Sequence, residues 1–94
     1  MKEDLFAYMD AINGQLTKAA SNIWQNPEKA LEEVYACDLQ IAMLEKAGFK
    51  INRNIPGMST AFVAEFGQGS PVLGVLGEYD ALPGLSQQVS GSYN

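Results

Sequence analysis

Histidine is absent from the 94 residues, cysteine occurs once, and basic residues number 6 against 11 acidic ones. Each shortage excludes something. Without imidazole there is no Ser-His or Cys-His nucleophile pair, no usual general base, and none of the commonest metal ligand. The lone Cys37 cannot form an internal disulfide, and a secreted chain this small is ordinarily stapled, which points to a reducing, cytoplasmic setting. The net charge is −5 and Lys and Arg never form a run, so a nucleic-acid footprint and a basic membrane-surface patch are both excluded. Long apolar runs are also missing: Lys2, Glu3 and Asp4 precede any apolar stretch, and no later run approaches a membrane span. At 47% apolar the chain is nevertheless too hydrophobic to be disordered, and it has the length of one small domain.

What is present falls into two halves with different periods. From residue 3 to 25, Leu5, Tyr8, Met9, Ile12, Leu16, Ala19 and Ile23 recur at spacings of three and four, the signature of an amphipathic helix. Gly14 weakens that helix locally without breaking the stripe. Asn26-Pro27-Glu28 predicts a helix restart, with Asn26 as N-cap, Pro27 at the first helical position and Glu28 at the positive end of the dipole. The second helix is expected to run to about Ala47 and to bury Ala30, Val34, Cys37, Ile41 and Leu44, with Leu31 and Ala47 flanking. Gly48 is its expected stop.

After Gly48 the period becomes two. Phe49 and Ile51 alternate with Lys50 and Asn52, Ile55-Pro56-Gly57 marks a turn, and Thr60 to Phe66 reads as a strand. Gly67-Gln68-Gly69-Ser70 has hairpin length and composition. The run from Pro71 to Gly77 is apolar on both faces, which predicts a third strand covered from both sides. Two helices followed by three strands make an α/β chain in which that last strand still needs a second covering layer, from more chain or from a partner.

The one concentrated polar feature follows that run. Glu78 and Asp80, two residues apart beyond a strand, point the same way if the chain stays extended, and open α/β sheets bind ligands past the carboxyl ends of their strands. Such a pair could hold a divalent metal or orient a metal-bound imidazole, although spacing alone favours a solvated turn. Elsewhere the plainer readings are preferred. Gly67 and Gly69 suit a turn better than a phosphate cradle, Cys37 sits on the apolar stripe as an inert core thiol, and Trp24 and Tyr35 read as packing residues. Ser59, Thr60 and Ser86 have no base to activate them.

Two strings carry a resemblance. Gly57-Met58-Ser59-Thr60-Ala61-Phe62-Val63-Ala64-Glu65-Phe66-Gly67, and the run from Pro71 through Glu78-Tyr79-Asp80-Ala81-Leu82-Pro83-Gly84-Leu85-Ser86-Gln87, closely resemble the start of the aminoacylase and carboxypeptidase G-like amidohydrolases. The similarity lies with the aminobenzoyl-glutamate hydrolase-like branch of that metallopeptidase family. Ile23-Trp24-Gln25-Asn26-Pro27-Glu28 with Leu31-Glu32-Glu33 is similar to the family's N-terminal helix junction. The resemblance covers residues 3 to 88 and implies the N-terminal part of an αβα layered zinc-peptidase-like catalytic domain.

It further implies enzymes with two zinc or manganese ions that hydrolyse an amide joining an acyl or aminobenzoyl group to an amino acid, through a metal-bridging water activated by a glutamate. Asp80 falls on the family's carboxylate that orients a ligand histidine, Pro83 on the motif's proline, and Glu78 on the position of the metal ligand itself. The chain departs from the family beyond Gln88. There the branch expects a His-Gly-Cys-Gly-His-like segment, and residues 89–94 read instead as a divergent tail. The Glu-Glu pair that carries the family's catalytic base is missing too, since Glu32-Glu33 belongs to the helix junction. The expectation is an N-terminal amidohydrolase fragment, inactive alone and binding no metal, whose family acts on small-molecule amides. The alternative is a small non-catalytic binding or assembly module that associates with itself through an unfinished sheet or exposed apolar surface.

Overall fold

The computed structural model describes residues 1–84; Leu85, Ser86, Gln87, Gln88 and the 89–94 stretch lie outside the described residues. Helix α1 spans Lys2–Gln25, within a residue of the expected bounds. Glu3 and Asp4 in its first turn meet the positive end of the dipole. Its end is local: the Asn26 amide N–H donates to the carbonyl of Ile23 at 3.1 Å, and the Asn26 side chain donates to the carbonyl of Asn22 at 2.8 Å.

The second helix starts later than the Asn-Pro-Glu signal predicts. Helix α2 spans Val34–Lys46, and residues 27–33 form a connection instead. A turn closes where the Glu32 N–H donates to the Lys29 carbonyl at 3.0 Å, and it places Leu31 at φ 68, outside helical space. The expected buried stripe shifts accordingly. Ala36, Cys37 and Ile41 are buried, Leu44 is half-buried, and Ala30, Leu31, Val34 and Ala47 are exposed. Cys37 is fully buried, as its place on the stripe suggests.

The stop at Gly48 is realised in full. The Gly48 N–H donates to the Glu45 carbonyl at 3.0 Å and the Phe49 N–H to the Leu44 carbonyl at 2.9 Å, a Schellman pair that needs the left-handed φ of 99 at Gly48. The chain then enters β1, Lys50–Asn52, which pairs antiparallel with β2, Val63–Glu65, in the register Lys50 to Glu65, Ile51 to Ala64 and Asn52 to Val63. Phe49 and Phe66 close one end of this ribbon with ring centroids 5.2 Å apart. Between the strands, the Met58 N–H donates to the Ile55 carbonyl at 3.1 Å with Gly57 at φ 74, so the predicted Ile55-Pro56-Gly57 turn forms. Helix α2 packs on β1 and on α1, and Ala36, Cys37 and Ile41 form the core between them.

The expected third strand is not formed among the described residues. Residues 71–77 pair with nothing, so Gly67 to Ser70 joins no hairpin, and Val72, Leu73, Val75 and Leu76 are 87%, 87%, 99% and 88% exposed. A strand apolar on both faces is defined by its neighbours, and the described residues supply neither a paired edge nor a covering layer. Among the described residues the architecture is therefore α/β, with two helices and a two-stranded antiparallel sheet. No helix among the described residues is long and apolar enough to cross a membrane.

Two glycine-to-alanine changes should move stability in opposite directions. Gly48→Ala forces a side chain into left-handed φ with its Cβ 3.4 Å from the Phe66 ring, and should cost about 1–3 kcal/mol. Gly14→Ala sits in a helix with nothing within 4 Å, and should gain about 0.5–1 kcal/mol. Denaturant midpoints at constant slope measure both.

Candidate functional site

The acidic segment after the apolar run is held at two points. At the first, Tyr79 turns inward: it is half-buried, and its hydroxyl donates to the main-chain carbonyl of Thr60. Thr60 is itself buried, and its hydroxyl donates to Glu33 Oε1 at 2.9 Å. The Tyr79 ring lies 6.4 Å, centroid to centroid, from that of Phe62. At the second, the Ala81 N–H donates to the Glu28 carbonyl at 2.6 Å, and Lys29 and Ala81 form an isolated parallel bridge.

Glu28 works at both its ends. While its carbonyl receives Ala81, its carboxylate accepts the N–H groups of Tyr35 and Ala36, each at 2.9 Å. Those are two of the amides that the first turn of α2 leaves without helical partners, and Glu33 at the N-cap position provides no side-chain cap. A carboxylate here also meets the positive end of the helix dipole. The same glutamate thus begins α2 and seats the 78–84 segment against it.

Beneath the segment lies a small polar cluster. Arg53 donates to Asp38 Oδ1 at 3.0 Å and reaches Cys37 Sγ at 3.8 Å. The bond to Asp38 is the main reason the Arg53 guanidinium is held above its ordinary pKa. The Tyr79 phenol is pushed up to about 12, first by its loss of water and then by the neighbouring Cys37 thiol and the negative charge of Glu33, with Arg53 opposing. It therefore stays protonated, and able to donate to Thr60, throughout the neutral range.

Glu78 and Asp80 flank this inward tyrosine and are both exposed. They do not stand at the end of a strand, as expected, because residues 71–77 form none. Both carboxylates border two hollows. One is an open groove of about 1210 Å³, whose walls include Trp24, Pro27, Glu28 and Gln40; the other, of about 360 Å³, includes Glu33, Met58 and Thr60. Among the described residues no three His, Cys, Asp or Glu side chains come together in a metal-holding group. Two exposed carboxylates alone do not fit a two-metal centre.

Sequence reasoning finds Glu78 and Asp80 but misses the residues that hold them. Tyr79 and Thr60 are 19 residues apart and Thr60 and Glu33 are 27 apart, so no local period links them. The one local signal is Glu28, whose capping character belongs to a helix that begins further on than the pattern predicts.

No family model matches the chain. It is 42% identical over 90 residues to a subunit of the p-aminobenzoyl-glutamate hydrolase of Escherichia coli (strain K12). The chain is a relative of that hydrolase subunit. The match takes in 92% of this chain and 19% of the length of the E. coli protein, so the likeness runs through both helices, the ribbon and most or all of the acidic segment while spanning a minor part of the longer protein.

Replacing the phenol should expose its role in holding the segment. Its folded pKa of about 12 lies above the ordinary 10.0, so the stability it contributes is full below pH 10 and is lost as pH rises through about 12. Tyr79→Phe should remove a tyrosinate step near pH 12 from an absorbance titration and flatten the alkaline loss of stability over that window. An unchanged titration would mean that the phenol is not held in this way.

Proposed function

We propose that this chain is a segment of a metal-dependent amidohydrolase catalytic domain acting on an amide bond to an amino acid, of the aminobenzoyl-glutamate or N-acyl-amino-acid type. The observation that carries the reading is the 42% identity to the E. coli hydrolase protein over 92% of the chain. In this reading residues 71–77 are an inner strand of an αβα layered sheet, which accounts for an apolar run exposed on both faces.

The chain's own contribution to such a site is acidic. Asp80 supplies a carboxylate that could accept the N–H of a ligand imidazole and fix its orientation, and Glu78 occupies the ligand position two residues earlier. The groove beside them, with Trp24 and Pro27 in its wall, offers apolar surface next to those oxygens. Zinc or manganese would supply Lewis-acid chemistry in a complete site, but the imidazoles that such a site takes are not among the 94 residues. The chain by itself is therefore expected to be inactive and to hold no metal.

The purified chain should take up no stoichiometric zinc in calorimetry and should release no aminobenzoate from aminobenzoyl-glutamate. Zinc uptake accompanied by turnover would overturn the proposal. A full-length protein containing this segment should hydrolyse such an amide, and Asp80→Asn in it should lower kcat by about 10- to 100-fold.

A further inference from the structure

Glu32 and Glu33 are adjacent in sequence but differ in surroundings. Glu32 is exposed, with Lys29 Nζ 3.9 Å from its carboxylate. Glu33 is half-buried, takes part in no ion pair among the described residues, and accepts the Thr60 hydroxyl on Oε1 at 2.9 Å. A carboxylate partly withdrawn from water relies on hydrogen bonds in place of that water, and a bond from a hydroxyl to a charged acceptor is of the stronger kind. The main chain of Glu33 is fixed as well, because its carbonyl accepts the Cys37 N–H at 3.0 Å at the start of α2. Glu33 is thus a post set at the end of a helix, whereas Glu32 beside it is a solvated side chain.

What the post holds is the residue between the two site carboxylates. Thr60 is buried, and with its hydroxyl engaged by Glu33 its main-chain carbonyl receives the Tyr79 hydroxyl. Side chains alternate along an extended segment, so the rotation that turns Tyr79 inward also sets Glu78 and Asp80 outward. The bond from the Ala81 N–H to the Glu28 carbonyl pins the segment one residue past Asp80, and a single pin lets a chain turn about it. The tyrosine is the second pin, and it prevents that turning. Reacting groups are sensitive to such displacement: about 1 Å can cost about 100-fold in rate.

We infer that Glu33 is a positioning residue for the amide hydrolysis, acting through Thr60 and Tyr79 on the orientation of Glu78 and Asp80; this rests on the amidohydrolase reading. In a full-length hydrolase containing this segment, at a temperature where circular dichroism shows each variant folded, Glu33→Ala, Thr60→Val and Tyr79→Phe should each lower kcat by about 10-fold, with KM changed by less than about 2-fold. Glu33→Gln and Thr60→Ser, which keep an acceptor and a donor, should restore kcat to within about 3-fold of wild type. The Glu33→Ala/Thr60→Val double variant should fall no further than either single one. Glu32→Ala, which removes the same charge one residue away, should leave kcat unchanged. In the 94-residue chain, Glu33→Ala should speed hydrogen exchange of the Ala81 amide by about 5-fold or more, and Glu32→Ala should not. An active wild-type enzyme in which Glu33→Ala keeps its kcat, or loses no more than Glu32→Ala, would overturn the positioning role and leave the amidohydrolase reading standing. A full-length wild-type protein without amide hydrolysis would instead overturn that reading, and this role with it.

Discussion

Much of this structure depends on one glutamate. The Glu28 carboxylate supplies two hydrogen bonds to the first turn of α2, and the Glu28 carbonyl receives the amide of Ala81. A hydrogen bond to a charged group is among the stronger ones available, and a helix start without one leaves amides unsatisfied. Because both interactions issue from one residue, the start of the buried helix and the position of the acidic segment are coupled. Helix α2 carries the core residues Ala36, Cys37 and Ile41, so the coupling reaches the ribbon through the packing of α2 on β1.

The second support is the chain from Tyr79 through Thr60 to Glu33. It ties the acidic segment to the connection between the strands and then to the residue that immediately precedes α2. Glu28 and Glu33 therefore bracket the same connection, one acting on Ala81 and the other, through Thr60, on Tyr79. Alternation along an extended segment does the rest: with Tyr79 turned inward, its two neighbours Glu78 and Asp80 face outward. Their exposure follows from what lies between and beside them, and neither carboxylate is held by an ion pair among the described residues.

What can be read from the sequence divides along the same line between local and distant causes. Helix α1, the stop at Gly48, the alternation of Phe49 and Ile51 with Lys50 and Asn52, and the turn at Ile55-Pro56-Gly57 all arise from residues within a few positions of one another, and each is legible. The restart at Asn26-Pro27-Glu28 misleads because Asn26 bonds backwards to Asn22 and Glu28 bonds forward to Tyr35 and Ala36. The residue types are right for capping, but they serve the end of one helix and a delayed start of the next. The run from Pro71 to Gly77 misleads for a different reason: its composition expresses how it would be covered, and a strand also needs an edge to pair with. At the site, Glu78 and Asp80 are visible as an acidic string, whereas Tyr79, Thr60 and Glu33 join only after folding.

The two supports of the acidic segment are independent of the exposed run that precedes it. Tyr79 and Ala81 are anchored to Thr60 and Glu28, and neither anchor uses Val72, Leu73, Val75 or Leu76. Pairing and covering that run would bury a continuous apolar surface, a gain that scales with the area removed from water. It would not require breaking the bonds that seat Glu78 and Asp80. Formation of a larger sheet and placement of the two carboxylates are therefore separable events: the second is accomplished by hydrogen bonds to α2 and its preceding connection, and the first depends on apolar surface that the described residues do not provide.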